Sequence, residues 1–450
     1  MSSKTCITPL IRQVTVNTCN IYTITRGYAA KPVVVPALLK KAEAEFTVLP
    51  NKTFVASLDN GSPVSRVTVA FKAGSRYEPA TELGISHVLR SAAGLTTKGA
   101  ASFILARKLA QLGANISASG DREFLYYTLE TTNDNAVAAA ELLKDLICNQ
   151  EFRQWELDDN VPRLQFDLAA LSPQVRAVDL LHKAAFRRNL GNSLFVSPKR
   201  MNKISSESLQ HYASQSLGSS RCAIVVVGDN QERAKLIASS LALPSGAEAG
   251  EASKYFGGEL RKEMGGDLAH IALALPGARA GTPQAIALAV AAKALGCGPV
   301  VKWGADNSPL AKAIGNIGPF AAAGFNVSYS DNGLFGVVLS VPKDEAASAV
   351  KAVANALKGG CINDVAIEAG KKQLKLQVLT EDENGSAHGE LLAAEGFYTG
   401  GILTPAKYVK NIDAISASDV SQAVSQAARG RLSMGAAGNL AFVPYVDELQ

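Results

Sequence analysis

The chain has 450 residues, of which 47% are hydrophobic, and its formal net charge is +5 at pH 7. A chain of this length exceeds the size at which a single hydrophobic core stops growing, so we expect two or more domains. The mild charge, with no basic run interleaved with aromatic residues, argues against nucleic-acid binding. The most apolar stretch, PQAIALAVAAKALG, meets Lys293 after ten residues, which is too short for a bilayer span and indicates a buried helix.

The first 28 residues form a distinct segment. They contain three basic residues, eight Ser and Thr residues, and no Asp or Glu. This composition is typical of a mitochondrial transit peptide, whereas a disordered surface tail rarely lacks acidic residues. We therefore predict a transit peptide over residues 1–28 and an N-terminal extension over residues 29–44. The predicted cleavage region comprises Arg26, Tyr28 and Ala29.

The segments that follow alternate between strand and helix patterns. Residues 66–74, RVTVAFKAG, alternate apolar and polar side chains and predict a strand. TELGISHVLRSAAGL and FILARKLAQLG have helical spacing, and ISASGDREFLYYTLET predicts two strands joined by a turn at Gly120 and Asp121. Residues 135–149 and 156–188 carry further helical patterns. Strands joined by hairpins, with the helices grouped, predict an α+β fold with a mainly antiparallel sheet.

The second half of the chain repeats the first. GANISASGDREFLYYTLET and GFNVSYSDNGLFGVVLSVP share five identities at one offset, 324 − 113 = 211. The five pairs are Gly113 with Gly324, Asn115 with Asn326, Ser117 with Ser328, Ser119 with Ser330, and Phe124 with Phe335. The likeness continues upstream and downstream, in the pairs Gly74 with Gly277, Leu181 with Leu392, and Phe186 with Phe397. This period predicts two homologous domains, 45–235 and 257–450, joined by a polar linker over 236–256.

The segment FKAGSRYEPATELGISHVL carries a family motif. It resembles the leading strand and active-site helix of the inverted-motif zinc metallopeptidases, the family of pitrilysin and the mitochondrial processing peptidase. Members share Gly-Ser-Arg-x-Glu and then a Gly shortly before the first His of His-x-x-Glu-His. The matching residues are Gly74, Ser75, Arg76, Glu78, Gly84 and His87. The resemblance covers nearly the whole mature chain and implies tandem α+β domains, in agreement with the repeat.

After His87 the chemistry of this motif is lost. Arg90 stands where the family has the Glu that takes a proton from zinc-bound water, and guanidinium cannot accept one. At ~4 Å and an effective dielectric constant of about 20, two unit charges repel by about 4 kcal/mol, and a dication roughly doubles that. Ser91 replaces the second His ligand. The resemblance assigns the third ligand position to Gln165, with Asp167 as the alternative. We predict that the chain has neither a zinc ion nor a catalytic base.

No other motif in the sequence replaces the lost one. His182, His211, His270 and His388 show no metal-ligand spacing, and the six cysteines contain no CxxC pair. No P-loop or nucleophile elbow is present. Gly296, Gly298 and Gly304 are too separated for the long glycine-rich loop of the substrate-binding processing-peptidase subunit. They predict a helix end followed by a tight turn.

The resemblance is strongest to the core proteins of ubiquinol-cytochrome c reductase, or complex III, which belong to this family. The degenerate HVLRS motif and the YVDEL ending carry it. It implies a non-catalytic structural subunit without cofactors, on the matrix side of the inner membrane. The implied partners are core protein 1, cytochrome b, the cytochrome c-type subunit and the Rieske subunit, with the Rieske presequence as a guest. The alternative is the non-catalytic substrate-binding subunit of the mitochondrial processing peptidase.

Overall fold

Two twisted sheets, one from each repeat, organise the part of the chain that the structure describes. The computed structural model describes residues 44–246, 250–297, 307–315, 317–360, 362–383 and 385–449. The strands are β1 (Glu45–Val48), β2 (Phe54–Leu58), β3 (Val64–Phe71), β4 (Asn115–Gly120), β5 (Leu125–Thr132), β6 (Cys222–Val227), β7 (Gly258–Glu263), β8 (Leu268–Pro276), β9 (Ala321–Ser328), β10 (Gly333–Pro342) and β11 (Ser433–Gly438).

The helices pack on both faces of these sheets. In the first half they are α1 (Ile85–Ser91), α2 (Ser102–Gln111), α3 (Ala136–Cys148), α4 (Gln154–Ala170), α5 (Pro173–Phe186), α6 (Ser206–Ser216) and α7 (Gln231–Leu241). In the second half they are α8 (Pro283–Leu295), α9 (Pro309–Ile314), α10 (Ala346–Asn355), α11 (Asp364–Glu383), α12 (Gly385–Thr399), α13 (Pro405–Ala414) and α14 (Ala417–Ala428).

The five strands of the second sheet follow the order of five of the six strands of the first, and β1 has no counterpart. The first runs β1-β2-β6-β3-β5-β4, and the second runs β7-β11-β8-β10-β9. Thus β7, β11, β8, β10 and β9 take the places of β2, β6, β3, β5 and β4. All pairs are antiparallel except β2 with β6 and β7 with β11. The predicted α+β fold with two tandem, mainly antiparallel domains is confirmed, with one parallel pair in each sheet.

Each sheet buries one face against helices of its own repeat. Val69 and Phe71 of β3 point to this face, and they form a cluster with Leu89 of α1 and Leu143 of α3. The alternation of side chains along β3 is what places them there, because successive residues of a strand point to opposite faces. An equivalent cluster in the second repeat includes Leu288 of α8 and Phe335 of β10.

The opposite face of each sheet is covered by a helix from the other repeat. Helix α5 packs against β8 and β11 of the second sheet, while α12 packs against β3 and β6 of the first. Leu181 of α5 is fully buried in one of these clusters, and Leu392 of α12 is 3% exposed in the other. The predicted correspondence of Leu181 with Leu392 is confirmed. Burying each such leucine contributes about 1.5 to 3 kcal/mol, so this exchange of helices stabilises the contact between the repeats.

The offset of 211 is wrong for the hairpins. The closing pair is Gly120 with Leu125 in the first repeat and Ser328 with Gly333 in the second. The true offset there is 328 − 120 = 208, which differs from 211 by three residues, an odd number. Because strand residues alternate in direction, an odd shift exchanges the faces. Phe124 accordingly lies in the cluster with α12, whereas Phe335 lies in the cluster with α8.

The remaining predictions concern the N-terminal segment, the glycines after α8 and membrane-spanning helices. Residues 1–43, which include the predicted transit peptide with Arg26, Tyr28 and Ala29, lie outside the described residues, as do Gly298 and Gly304. Helix α8 ends at Leu295, directly before Gly296, so the predicted helix end is confirmed. Among the described residues, no helix has both the length and the apolar character needed to span a membrane.

Candidate functional site

Helix α1, which carries the degenerate motif, is held at its N-terminus by Glu78. The Glu78 carboxylate accepts hydrogen bonds from Gly84 N at 2.7 Å, Ser86 N at 3.0 Å and Ser86 Oγ at 2.5 Å. These amides are the donors that a helix start leaves without a partner. Burial raises the pKa of Glu78 to about 7, although these hydrogen bonds oppose the shift. Glu78 of the Gly-Ser-Arg-x-Glu motif therefore acts as a cap for α1.

Gly84 sets how α1 enters the core. Its φ of +94° lies in the left-handed region that favours glycine. A Cβ atom added there would lie 2.6 Å from Val196 Cα, so the helix and the Val196 segment approach too closely for any side chain. Both its backbone conformation and its packing therefore favour glycine before the first histidine.

His87 lies one turn into α1 and is 2% exposed. Its Nδ1 accepts a hydrogen bond from Val196 N at 3.2 Å, which assigns the proton of the neutral ring to Nε2. Nε2 lies 3.7 Å from Asp167 Oδ2, and the ring packs edge-on against Phe195. Burial, reinforced by the charge of Arg90, lowers the pKa of His87 to about 4, although Asp167 opposes the shift. His87 is therefore neutral at physiological pH.

Arg90 and Ser91 occupy the two positions where the family motif has Glu and His. Arg90 donates from Nη1 to the carbonyl oxygen of Gly120 on the edge strand β4, at 3.2 Å. Burial lowers the pKa of Arg90, partly offset by the charge of Asp167, but a guanidinium group remains protonated. Ser91 Oγ accepts a hydrogen bond from Asn160 Nδ2 of α4 at 2.9 Å. Both side chains form packing and hydrogen-bonding contacts, and the positive charge of Arg90 disfavours a cation beside His87.

Of the two residues considered for the third position, Asp167 and not the preferred Gln165 lies beside His87. Both residues belong to α4, but Gln165 is exposed, while Asp167 Oδ2 faces the His87 ring. Two residues along a helix rotate a side chain by roughly 200°, so only one of the pair can face α1. The geometry therefore favours Asp167, the alternative, as the candidate for the third position, and the assignment stays a prediction. Within the described residues, no group of three His, Cys, Asp or Glu side chains is arranged to hold a metal ion.

The remaining histidines take part in structural contacts at separate places. His182 of α5 is buried, and its Nε2 lies 2.9 Å from the hydroxyl oxygen of Tyr329 in the second repeat. His270 Nδ1 lies 2.8 Å from Ser340 Oγ, and His388 Nε2 lies 3.4 Å from Asp382 Oδ1. His211 is exposed on α6. None of these residues approaches His87 as a second ligand.

Arg76 of the family motif joins the two repeats, a role that the sequence did not reveal. Its Nη1 donates to Glu123 Oε1 at 2.7 Å, and its two Nη atoms donate to the two oxygens of Asp331 at 2.8 and 2.5 Å. Nη2 also donates to the carbonyl oxygen of Glu251 at 3.1 Å. Glu123 belongs to the first repeat, Asp331 to the hairpin of the second, and Glu251 to the segment between them.

The acidic partners of Arg76 are themselves fully engaged. The Glu123 side chain is 1% exposed, and it accepts hydrogen bonds from Ser330 N at 3.0 Å and from the Tyr398 hydroxyl at 2.9 Å. Burial acts to lower the pKa of Arg76, but Asp331 and Glu123 together raise it above its ordinary value. The one sequence signal for this network was Arg76 itself, because its partners lie far away along the chain.

Comparison with known proteins agrees with this geometry. Residues 54–197 match the family described as Insulinase (Peptidase family M16), and residues 203–374 match the Peptidase M16 inactive domain. The chain is 35% identical to "Cytochrome b-c1 complex subunit 2, mitochondrial" of Homo sapiens, over 90% of this chain and 92% of that protein. The corresponding protein of Rattus norvegicus is also 35% identical, over 91% of this chain and 93% of that protein.

A second group of relatives is more distant. "Probable mitochondrial-processing peptidase subunit alpha-1, mitochondrial" of Arabidopsis thaliana is 25% identical, over 92% of this chain and 86% of that protein. The two matched segments together cover most of both repeats, and the relatives named above are covered over nearly their full length. On this evidence the chain belongs to peptidase family M16.

Proposed function

We propose that the chain is a non-catalytic structural subunit of the mitochondrial cytochrome b-c1 complex, which is complex III of the respiratory chain. The observation that carries the proposal is the 35% identity to subunit 2 of that complex over about nine tenths of both chains. The processing-peptidase alpha subunit named above, which represents the alternative function, is only 25% identical to this chain. The match of residues 203–374 to an inactive peptidase domain supports a role without catalysis.

The degenerate motif supports the same role. The position of the general base holds Arg90, whose guanidinium cannot take a proton from water. The position of a second metal ligand holds Ser91, which is already hydrogen-bonded to Asn160. The residues that the chain keeps from the motif, above all Glu78 and Arg76, stabilise the helix and the contact between repeats. We infer that the chain is a zinc-peptidase homologue that retains the architecture and has lost the reaction.

The proposal extends to location and partners. The chain would be a peripheral protein on the matrix side of the inner membrane, delivered by a transit peptide over residues 1–28 that is cut near Arg26, Tyr28 and Ala29. It would assemble with core protein 1 and support the cytochrome b, cytochrome c-type and Rieske subunits. The presequence of the Rieske protein would be a guest of the core proteins. The chain itself would carry no haem, iron-sulfur cluster or zinc.

The test is to isolate the chain with its partners. Mitochondria are solubilised gently, the protein is immunoprecipitated, and the reduced-minus-oxidised visible spectrum of the eluate is recorded. We expect b- and c-type haem bands in stoichiometric amounts. A haem-free eluate that cleaves presequence peptides would instead identify the substrate-binding subunit of the processing peptidase and overturn the proposal.

A further inference from the structure

A cavity of about 570 Å³ lies inside the second repeat, away from the degenerate motif. It is enclosed by α8, α11, α12, α13 and the edge strand β9. Helix α12 has two roles here. Leu392 and Tyr398 contact the cluster on the first sheet and also line the cavity, and Glu395 lines the cavity as well. The cavity therefore lies between α12, which also packs on the first sheet, and other elements of the second repeat. Its volume is typical of a small-molecule site.

The walls combine apolar side chains with acidic ones. Ile286, Leu374, Val378, Leu403 and Phe325 supply apolar surface. The ionisable lining residues are Glu381, Asp382, Glu395, Lys293, His388, Tyr398 and Tyr408. With histidine and tyrosine neutral and all three carboxylates ionised, the formal charge of the lining that the structure describes is 1 − 3 = −2. A ligand with an apolar body and a positive charge complements such walls, whereas an anion would be repelled.

The charges of Glu395 and Glu381 both affect the pKa of the Tyr408 hydroxyl group. Burial raises the pKa of Tyr408 to about 12, and the charges of Glu395 and Glu381 add to the effect. Burial also raises the pKa of Glu395 to about 7, opposed by a hydrogen bond that its Oε2 accepts from Leu403 N at 3.2 Å. Glu381 Oε1 accepts a hydrogen bond from Gln377 Nε2 at 2.7 Å. A bound cation would lie near these carboxylates and near the Tyr408 side chain, since all three residues line the cavity.

We propose that this cavity binds a protonated aliphatic amine, with the ammonium group beside Glu395, Glu381 and Tyr408 and the alkyl chain along Ile286 and Val378. An organic cation fits better than a metal ion, because the described residues offer no group of three metal-binding side chains. The amine is either a free small molecule or a lysine side chain of a peptide segment. Both sources present the same chemistry to the walls.

The experiment measures binding to the purified full chain by isothermal titration calorimetry. The probes are octylamine, octanol and octanoate, all below their aggregation concentrations, together with the peptide acetyl-Leu-Lys-Leu-amide. We expect octylamine to bind saturably with one site per chain, octanol to bind more weakly, and octanoate not to bind. If octylamine binds and the peptide does not, the ligand is a free amine. If the peptide binds and octylamine does not, the ligand is a lysine side chain.

Matched variants locate the site. Glu395→Gln keeps an acceptor oxygen for Leu403 N but removes the charge, and we expect it to weaken amine binding about tenfold or more. Glu381→Gln should weaken it as well, while Glu383→Gln, an exposed position of α11 outside the cavity lining, should leave it unchanged. The proposal is overturned if neither amine probe binds, if octanoate binds as well as octylamine, or if Glu383→Gln weakens binding as much as the cavity variants do.

Discussion

Replacing Arg76 by Met tests whether the buried ion-pair network joins the two repeats. Methionine keeps most of the side-chain length but removes five hydrogen bonds that the guanidinium donates, to Glu123, Ser330, Glu251 and the two oxygens of Asp331. The Arg76 and Glu123 side chains are 5% and 1% exposed, so the remaining carboxylates lose their partner inside the protein.

The size of the effect follows from this burial. Removing one partner of a buried ion pair costs about 3 to 5 kcal/mol, because the other charge is left desolvated. That loss is a large part of the ~5 to 15 kcal/mol by which folded proteins are stable. Asp331 keeps a hydrogen bond from Ser253 N at 2.5 Å, and Glu123 keeps those from Ser330 and Tyr398. We therefore expect a value near the lower end, about 3 kcal/mol.

The assay is urea unfolding followed by far-ultraviolet circular dichroism, with a double-mutant cycle of Arg76→Met and Asp331→Asn. We expect a coupling free energy above about 1 kcal/mol, as for residues in one buried network. The control is Arg153→Met, because Arg153 pairs with Glu151 at 2.6 Å but is 46% exposed, and exposed pairs contribute about 0 to 1 kcal/mol. If Arg76→Met cost no more than Arg153→Met, the network would not stabilise the contact between repeats.

Four further predictions follow from the same structure. Gly84→Ala should destabilise the chain by more than the ~1 kcal/mol of a left-handed residue alone, because its Cβ would collide with Val196; equal unfolding midpoints in urea would contradict the packing argument. Leu181→Ala should cost about 2 to 5 kcal/mol, since this leucine is fully buried under the second sheet, and a cost below 1 kcal/mol would exclude a stabilising exchange of helices. The folded-state pKa of His87 is about 4, below its ordinary value of 6.5, so its contribution to stability is complete above pH 6.5 and is lost as the pH falls through 4; His87→Gln should flatten the pH dependence of the unfolding free energy in this window, and an unchanged slope would refute it. Arg90→Glu with Ser91→His should bind one zinc ion per chain by elemental analysis after dialysis, while Arg90→Glu with Ser91→Ala should not; zinc-free protein in both cases would show that the helix or the third ligand position is also unsuitable.

The sequence by itself determined the features of this protein that appear as patterns along the chain. The alternation of side chains specified the strands, the period of about 200 residues specified the duplicated α+β domains, and side-chain chemistry at Arg90 and Ser91 excluded the base and the second metal ligand. The fold predictions are confirmed because strands and repeats leave patterns along the chain. The loss of the zinc chemistry, argued from single side chains, stays a prediction. The mitochondrial targeting of residues 1–28 remains a prediction.

The tertiary structure decided what depends on distant residues. Neither the exchange of α5 and α12 between sheets nor the contact of Arg76 with Asp331 leaves a local pattern, since each joins segments that are far apart along the chain. The repeat register failed in the hairpins because the offset is wrong by three residues, and any odd shift reverses which face a strand side chain points to. In the same way, the orientation of α4 places Asp167, and not Gln165 two residues away, beside His87. Sequence identity measures likeness of residues, but only packing decides which way each side chain points.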